Sequence, residues 1–149
     1  MNLYESLRQS HDLQRGLCRS MTSGRASAAK RRQAFLDLAV ELAAHAAAEE
    51  RFLYAPMLMD DAGLNVSRHA LSEHHELDEL VEAIRGLDPE HAEFQDAASD
   101  LGVAVAHHLK EEERGFFQLS GRILTEKQKV TLAKRYVADY ERLKALASH

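Results

Sequence analysis

Residues 45–51 read His-Ala-Ala-Ala-Glu-Glu-Arg and residues 108–114 read His-Leu-Lys-Glu-Glu-Glu-Arg, so one H-x-x-x-E-E-R string occurs twice, 63 residues apart. Both copies sit on the same apolar spacing, Leu38, Leu42, His45 in one and Leu101, Val105, His108 in the other. Both are followed at the same offset by an apolar pair, Leu53-Tyr54 and Phe116-Phe117. On a helix, residues i and i+4 point the same way. Each copy therefore sets an imidazole and a carboxylate side by side, in line with an apolar stripe. Two such helices facing each other would converge two His and two Glu in a hydrophobic interior. That arrangement is costly unless something compensates it, and a metal ion is the usual compensation.

The rest of the chain is consistent with a helical host for such a site. It has 149 residues, enough for one domain with a real core. It is 45% hydrophobic but only 6% aromatic, with no Trp and two Pro, which favours helices over sheets. The net charge of −5 is mild and unclustered, so nothing suggests a nucleic-acid-binding face. The short basic run Lys30-Arg31-Arg32 reads as a solvated helix start. A lone Cys18 excludes an internal disulfide and fits a reducing compartment. The polar N-terminus argues against a signal peptide, and no apolar run reaches the ~20 residues of a membrane span. A cytoplasmic protein without membrane partners is expected.

Five helical segments are predicted. The first covers about Asn2 to Met21, and Thr22-Ser23-Gly24-Arg25 forms a turn. The second runs from the N-cap Ser27 to about Met59, with Pro56 near its end. Asp60-Asp61-Ala62-Gly63 is read as a break, and the third helix runs from Asn65 or Ser67 to Leu87. Asp88-Pro89 reads as an N-cap with Pro at the first helical position, so the fourth starts at once and ends near Ser120, capped by Gly121. Thr125 with Gln128 forms a capping box opening a fifth helix to about Ala147, with Val130, Ala133, Val137, Tyr140 and Leu143 or Leu146 inward. Short connections between long amphipathic helices predict an all-α fold, an antiparallel up-down-up-down four-helix bundle over about 2–120. An additional C-terminal helix, about 125–147, covers one end or side, all within a single domain of residues 1–149.

The core stripes can be searched for ligands. The second helix reads Phe35, Leu38, Leu42, His45, Glu49, Phe52, and the fourth reads Leu101, Val105, His108, Glu112, Gly115, Leu119. On the third, His74 falls in register with Leu77, Val81 and Ile84, whereas His75 falls with acidic residues. The first reads Tyr4, Leu7, His11, Gln14, Cys18. The inward set is thus His11, His45, Glu49, His74, His108 and Glu112. Glu50 and Glu113 are expected to face solvent, and Arg51 and Arg114 to be surface residues paired locally. His91 and His107 are off the stripes. A lone core His is more often hydrogen-bonded than ligating; four of them, two with Glu at i+4, carry the argument jointly. Imidazoles mixed with carboxylates suit iron or manganese, with zinc possible, and no thiolate set exists for structural zinc. Two facing glutamates can bridge two metals, but the chain contains no Glu-x-x-His of the ferritin-like class.

These motifs together resemble a hemerythrin-like, His-His-Glu cation-binding domain. The resemblance covers about Leu3 to Leu119 and rests on residues 10–12, 45–54, 73–77 and 108–117. It implies a four-helix bundle holding two iron ions in a non-haem di-iron site, bridged by two carboxylates and an oxo, hydroxo or water ligand. By position, His11, His45, His74 and His108 would be terminal ligands, and Glu49 and Glu112 the bridges. The family's oxygen carriers use a second third-helix His, four residues before the first; here that residue is Ala70, and His69 and His75 are out of register. The resemblance therefore implies oxygen, nitric-oxide, peroxide or iron binding or sensing rather than reversible oxygen carriage. A di-iron enzyme acting on peroxide or another small oxidant is the alternative, and a helical interaction module with a structural metal is a third. Tyr4 and Tyr54 are expected to be core residues with their hydroxyls bonded at the rim, and Cys18 a small buried hydrophobe.

Overall fold

The computed structural model describes residues 2–147; Met1, Ser148 and His149 lie outside the described residues. Five helices follow one another: α1 (Leu3–Met21), α2 (Ala28–Glu49), α3 (Asp61–Arg85), α4 (Ala92–Glu111) and α5 (Glu126–Ala147). Two of them continue beyond these bounds. A π-helical turn, Glu50–Tyr54, and a short end, Ala55–Leu58, extend α2. A second π-turn, Glu112–Phe116, and Phe117–Ile123 extend α4. Helix α1 packs along α2, α3 along α4, and α1 also meets α4, so the first four form an antiparallel bundle. Helix α5 lies against α2 and α1.

Local chemistry sets most of the boundaries. Asn2 caps α1 by accepting from the Glu5 amide at 2.9 Å, and Ser27 caps α2 by accepting from the Lys30 amide at 3.2 Å. The capping box of α5 is reciprocal: the Gln128 amide donates to Thr125 Oγ1 at 3.1 Å and the Thr125 amide to Gln128 Oε1 at 2.8 Å. Four expectations shift. Asp60 caps α3 through the Ala62 amide, so Asp61 to Gly63 begin the helix instead of breaking it. Asp88-Pro89 forms a turn closed by the Glu90 amide on Asp88, and α4 starts after His91. Gly121 lies inside the helical extension of α4, which ends at Ile123. Arg31 is buried, its guanidinium donating to the Ala26 and Pro89 carbonyls and so tying together the α1–α2 and α3–α4 connections.

The core has two apolar clusters. One is built on Phe35, Leu38, Leu42, Leu77, Val81, Ile84, Phe94, Leu101 and Val105. The other is built on Leu3, Leu7, Leu53, Tyr54, Met57, Phe116, Phe117 and Tyr136. Along every bundle helix the residues of the first are separated from those of the second by a His or a His-Glu pair. The polar layer is therefore a slab between two hydrophobic plugs. The α5 stripe holds at Ala133, Val137 and Tyr140, with Leu143 rather than Leu146 half-buried; Val130 is exposed instead, and Tyr136 is buried.

Gly63 is the tightest backbone approach in the connection to α3. A Cβ there would fall on the Met57 carbonyl oxygen and 2.8 Å from Met57 Cε. Gly63→Ala forces this turn apart, and chemical denaturation is expected to show a loss of about 1–3 kcal/mol, the usual cost of overpacking. Unchanged stability would mean the connection yields freely.

Candidate metal centre

His11, His45, Glu49, His74, His108 and Glu112 are all buried, and the structure brings them together in the slab between the two clusters. The Nε2 atoms face inward. His11 Nε2 lies 3.3 Å from Glu112 Oε1 and His45 Nε2 lies 3.4 Å from Glu49 Oε2. His74 Nε2 lies 3.3 Å from Glu49 Oε1 and His108 Nε2 lies 3.6 Å from Glu112 Oε2. Each carboxylate thus presents one oxygen to one imidazole pair and its other oxygen to the second pair. Two ligand groups result, each compact enough to surround one ion: His11, His45, Glu49 and Glu112, and His74, His108, Glu49 and Glu112.

The Nδ1 atoms face outward, each onto one oxygen. His11 Nδ1 donates to Glu113 Oε2 at 2.6 Å, His74 Nδ1 to Glu50 Oε1 at 3.0 Å and His108 Nδ1 to Glu73 Oε1 at 2.9 Å. His45 Nδ1 meets the Tyr136 hydroxyl at 2.7 Å. A carboxylate can only accept, so the first three rings keep a proton on Nδ1, which leaves the inward Nε2 as the atom that takes either a second proton or a cation. Outer acceptors of this kind orient and strengthen metal-ligating imidazoles. Glu50 and Glu113 are therefore not the solvent-facing residues expected, and Arg51 pairs with Asp139 of α5 at 2.9 Å, not with a local carboxylate. Glu73 lies in the 73–77 motif but no role was expected of it, and Tyr136 was not among the expected inward residues of α5.

The repeat contains the missing signal. The offset of 63 relates His11 to His74 as well as His45 to His108, and it relates Glu50 to Glu113. In each half the first Glu of the pair faces the centre, and the second holds the Nδ1 of the other half's single His. The π-turns complete this geometry. The Ala55 amide bonds the Glu50 carbonyl and the Phe117 amide bonds the Glu112 carbonyl, five residues back. Such a turn shifts the inward register by one position, and π-turns are frequent at functional sites. The stripes expected through Phe52 and Gly115 instead pass through Leu53-Tyr54 and Phe116-Phe117, which are buried, while Gly115 is exposed.

Tyr54 and Phe117 occupy matching places and differ in chemistry. Phe117 stacks on His11, with ring centroids 5.7 Å apart. Tyr54 is fully buried and donates its hydroxyl to Glu112 Oε2, with His74 Nε2 at 3.4 Å. Its hydroxyl is thus inside the centre, not at the rim. Tyr4 behaves as expected, bonding Ser120 Oγ at 2.9 Å and packing on Phe117. His75 is exposed and pairs with Glu79, His69 is exposed, and Ala70 is buried without a polar group. Cys18 is half-buried, and burial pushes its thiol up to about 11.

The electrostatics fit a cation. Among the described residues, His11 Nε2, His45 Nε2, both Glu49 oxygens and Glu112 Oε1 are shielded from solvent and make no hydrogen bond. Buried donors and carboxylate oxygens left this way are costly unless an ion supplies the partner. Burial lifts Glu112 to about 7, aided by the charge of Glu49, while His45 and its neighbours hold Glu49 well below the usual range despite burial. Burial opposes a charged ring at His11 and His74, yet Glu112 and Glu113 raise His11 to about 9, and Glu49 and Glu50 raise His74 to about 10. Burial lowers His45, which stays neutral. Glu113 and Glu73 are held near about 2, chiefly by His11 and His108 respectively.

The chain matches the Hemerythrin HHE cation binding domain over residues 2–120, and it belongs to that family. A Hemerythrin HHE cation binding domain-containing protein from Mycobacterium kansasii has the same fold, with a TM-score of 0.84 over 97% of this chain and 88% of that one at 23% identity. A protein of Nostoc sp. described as a DNA nickase is 31% identical over 98 residues, 66% of this chain and 28% of that protein. The chain therefore spans little more than a quarter of that relative. No helix among the described residues is long and apolar enough to cross a membrane.

Two predictions follow from the protonation pattern and the outer acceptors. The raised His11 and His74 favour the folded state while protonated. That contribution is fully present below about 6.5 and is lost as pH rises through about 9 to 10. Protein stripped of metal should therefore unfold at lower denaturant at pH 10 than at pH 6.5. Metal-loaded protein should lose less over that window, because its Nε2 atoms hold a cation in place of protons; equal losses would refute the assignment. Glu113→Gln and Glu50→Gln should each weaken metal affinity by roughly 10–100-fold in a competition titration with a coloured chelator, without changing how much metal saturates the chain.

Proposed function

We propose that this hemerythrin-family chain is a non-haem di-iron protein whose centre binds a small oxidant: oxygen, nitric oxide or peroxide. The observation that carries it is the sharing of Glu49 and Glu112, each with one oxygen in either imidazole pair. A single cation would need only one of the two groups. His11 and His45 would hold the first ion and His74 and His108 the second, with both carboxylates bridging. Mixed imidazole and carboxylate donors suit iron. Iron would supply the redox chemistry, passing electrons to the oxidant.

The chain's own residues make the two halves unequal. Beside the second group, a cavity of about 410 Å³ has His108 and Glu112 in its wall, together with the apolar side chains of Val66, Ala70 and Phe116. Ala70 stands where a further imidazole would otherwise project, so the small oxidant has room on this side. Tyr54 supplies the second group with an oxygen that Phe117 cannot give the first. Its phenol is pushed well above its ordinary value by burial and by Glu112 and Glu49. It therefore keeps its proton at neutral pH and donates it in a hydrogen bond to Glu112. A bound oxidant would meet the apolar side chains of Val66, Ala70 and Phe116 on this side of the centre, while His69, Glu73 and Glu111 line the outer part of the same cavity.

The test has two stages. Elemental analysis of iron-reconstituted protein should give two irons per chain, one for each ligand group. Glu49→Gln and Glu112→Gln should each lose the pair rather than half of it, since each carboxylate serves both ions. One tightly held ion in the wild type would overturn the dinuclear reading in favour of a single structural metal. The reduced iron protein is then mixed with oxygen in a stopped-flow instrument. Fast oxidation that pumping off the oxygen does not reverse is expected; recovery of the reduced spectrum would overturn it. Sustained turnover with excess peroxide would mark the protein as an enzyme.

A further inference from the structure

The motif His-x-x-x-Glu, which builds the buried centre, also occurs three times on the surface of the same bundle, and besides His75 with Glu79 two of these copies lie together. His69 and Glu73 form one pair on α3, and His107 and Glu111 form the other on α4. The two pairs face each other across the α3–α4 seam. His69 Nε2 is 3.0 Å from Glu111 Oε1 and 3.5 Å from Glu73 Oε2, while His107 Nε2 is 3.1 Å from Glu111 Oε2 and 3.8 Å from Glu73 Oε2. One donor atom each from His69, Glu73 and Glu111 falls within the span of a single ion's coordination shell. Glu111 Oε2 is shielded from solvent yet makes no hydrogen bond, although His107 Nε2 is near it. Exposed ion pairs of this type contribute little to stability, so stability does not account for the cluster.

Its position distinguishes it from the other surface pairs. His69, Glu73 and Glu111 line the same cavity whose wall includes His108 and Glu112 of the buried centre. Glu73 joins the two: Oε1 accepts from His108 Nδ1 at 2.9 Å while Oε2 faces His69. The six buried groups themselves are almost without solvent contact, so an ion must reach them along a path, and this cavity leads to them from a set of ligands.

We propose that His69, Glu73 and Glu111, flanked by His107, form a separate surface site for a divalent transition-metal ion, through which iron(II) loads the buried centre. Imidazole and carboxylate donors at an exposed site hold such an ion while leaving water on its open side, so it exchanges readily. The ion passes inward along the cavity from Glu73 and Glu111 toward His108 and Glu112. The loading role rests on the di-iron reading; the surface site itself does not.

The test uses the full chain stripped of metal. Equilibrium dialysis against cobalt(II) should show the wild type holding one readily exchanged ion beyond those of the buried centre, and His69→Ala/Glu111→Gln should lack only that ion. In stopped-flow loading at limiting iron(II), this double variant should fill roughly tenfold or more slowly and still reach the wild-type iron content. Glu49→Gln separates the two readings, since it should lose the buried ions and keep the exchangeable one. If Glu49→Gln leaves ion content unchanged while the double variant still loses one, the di-iron reading fails and the surface site stands. No exchangeable ion in the wild type refutes the site, and loading of the double variant at the wild-type rate refutes its role.

Discussion

Two carboxylates placed in the middle of a hydrophobic bundle determine most of what surrounds them. Removing an ionised carboxylate from water costs on the order of several kcal/mol even after relaxation, and Glu49 and Glu112 lie close enough to repel each other. Such a pair persists only where positive charge is supplied on both sides. Here four imidazoles surround them in two pairs, each pair sharing both carboxylates. In the absence of a cation, protons on His11 and His74 serve the same purpose, which is why those rings are raised and His45 is not. Proton and metal compete for the same Nε2 atoms. The remaining polar chemistry of the core follows from having to hold those rings still.

That holding is done by the sequence repeat. Each Glu-Glu pair sends its first carboxylate to the centre and its second to the Nδ1 of a His in the other half, so the two halves clamp one another. The symmetry is broken at three places, and each break has a chemical consequence. Ser10 matches Glu73 but donates to Glu41 at 2.6 Å instead of reaching a ring, and the hydroxyl of Tyr136 holds His45 in its place. Phe117 matches Tyr54 but has no hydroxyl. Ala70 leaves one side of the second group facing a cavity. The repeat keeps the buried His and Glu of each half, and the differences make the two groups of side chains chemically unequal.

The buried His and Glu cluster was legible because it needs only helical register: His45 with Glu49 and His108 with Glu112 are i and i+4, and His74 shares its stripe with Leu77 and Val81. The all-helical fold was legible from composition and helical periodicity. What escaped the reading depended on departures from regular register or on distant pairing. A π-turn inserts its extra residue without a compositional mark, so the stripe was carried to Phe52 and Gly115 when it had moved to Tyr54 and Phe117. Glu50 and Glu113 lie one step off the i+4 position, and a strict α-helix would turn them outward. Tyr136 is 91 residues from His45, and Asp139 is 88 from Arg51; no local pattern links such pairs. Asp88-Pro89 satisfied its cap rule within a turn, because the Glu90 amide took the Asp88 side chain before a helix could.

Helix α5 is where this distinction matters most, since by sequence it is only a cover. Its capping box starts it independently of the bundle, yet four side chains spaced along one face bind it to α2 and its extension. Tyr136 meets His45, Asp139 takes Arg51, and Tyr140 with Lys144 reaches the buried Glu41, whose carboxylate also accepts from Ser10. A hydrophobic cover needs only apolar area and tolerates sliding by a turn. These polar contacts do not, because sliding would leave the buried Glu41 carboxylate with only the Ser10 hydroxyl and no cation, at a cost well above that of a lost surface contact. The register of α5 is therefore fixed by charges, and the Tyr136 hydroxyl is held where His45 requires it. An ion at Nε2 of His45 draws electron density from the ring and strengthens the Nδ1 bond to Tyr136, so filling the centre and docking α5 reinforce each other. The fifth helix is in this sense part of the candidate centre, because its Tyr136 hydroxyl meets a ring that lines it.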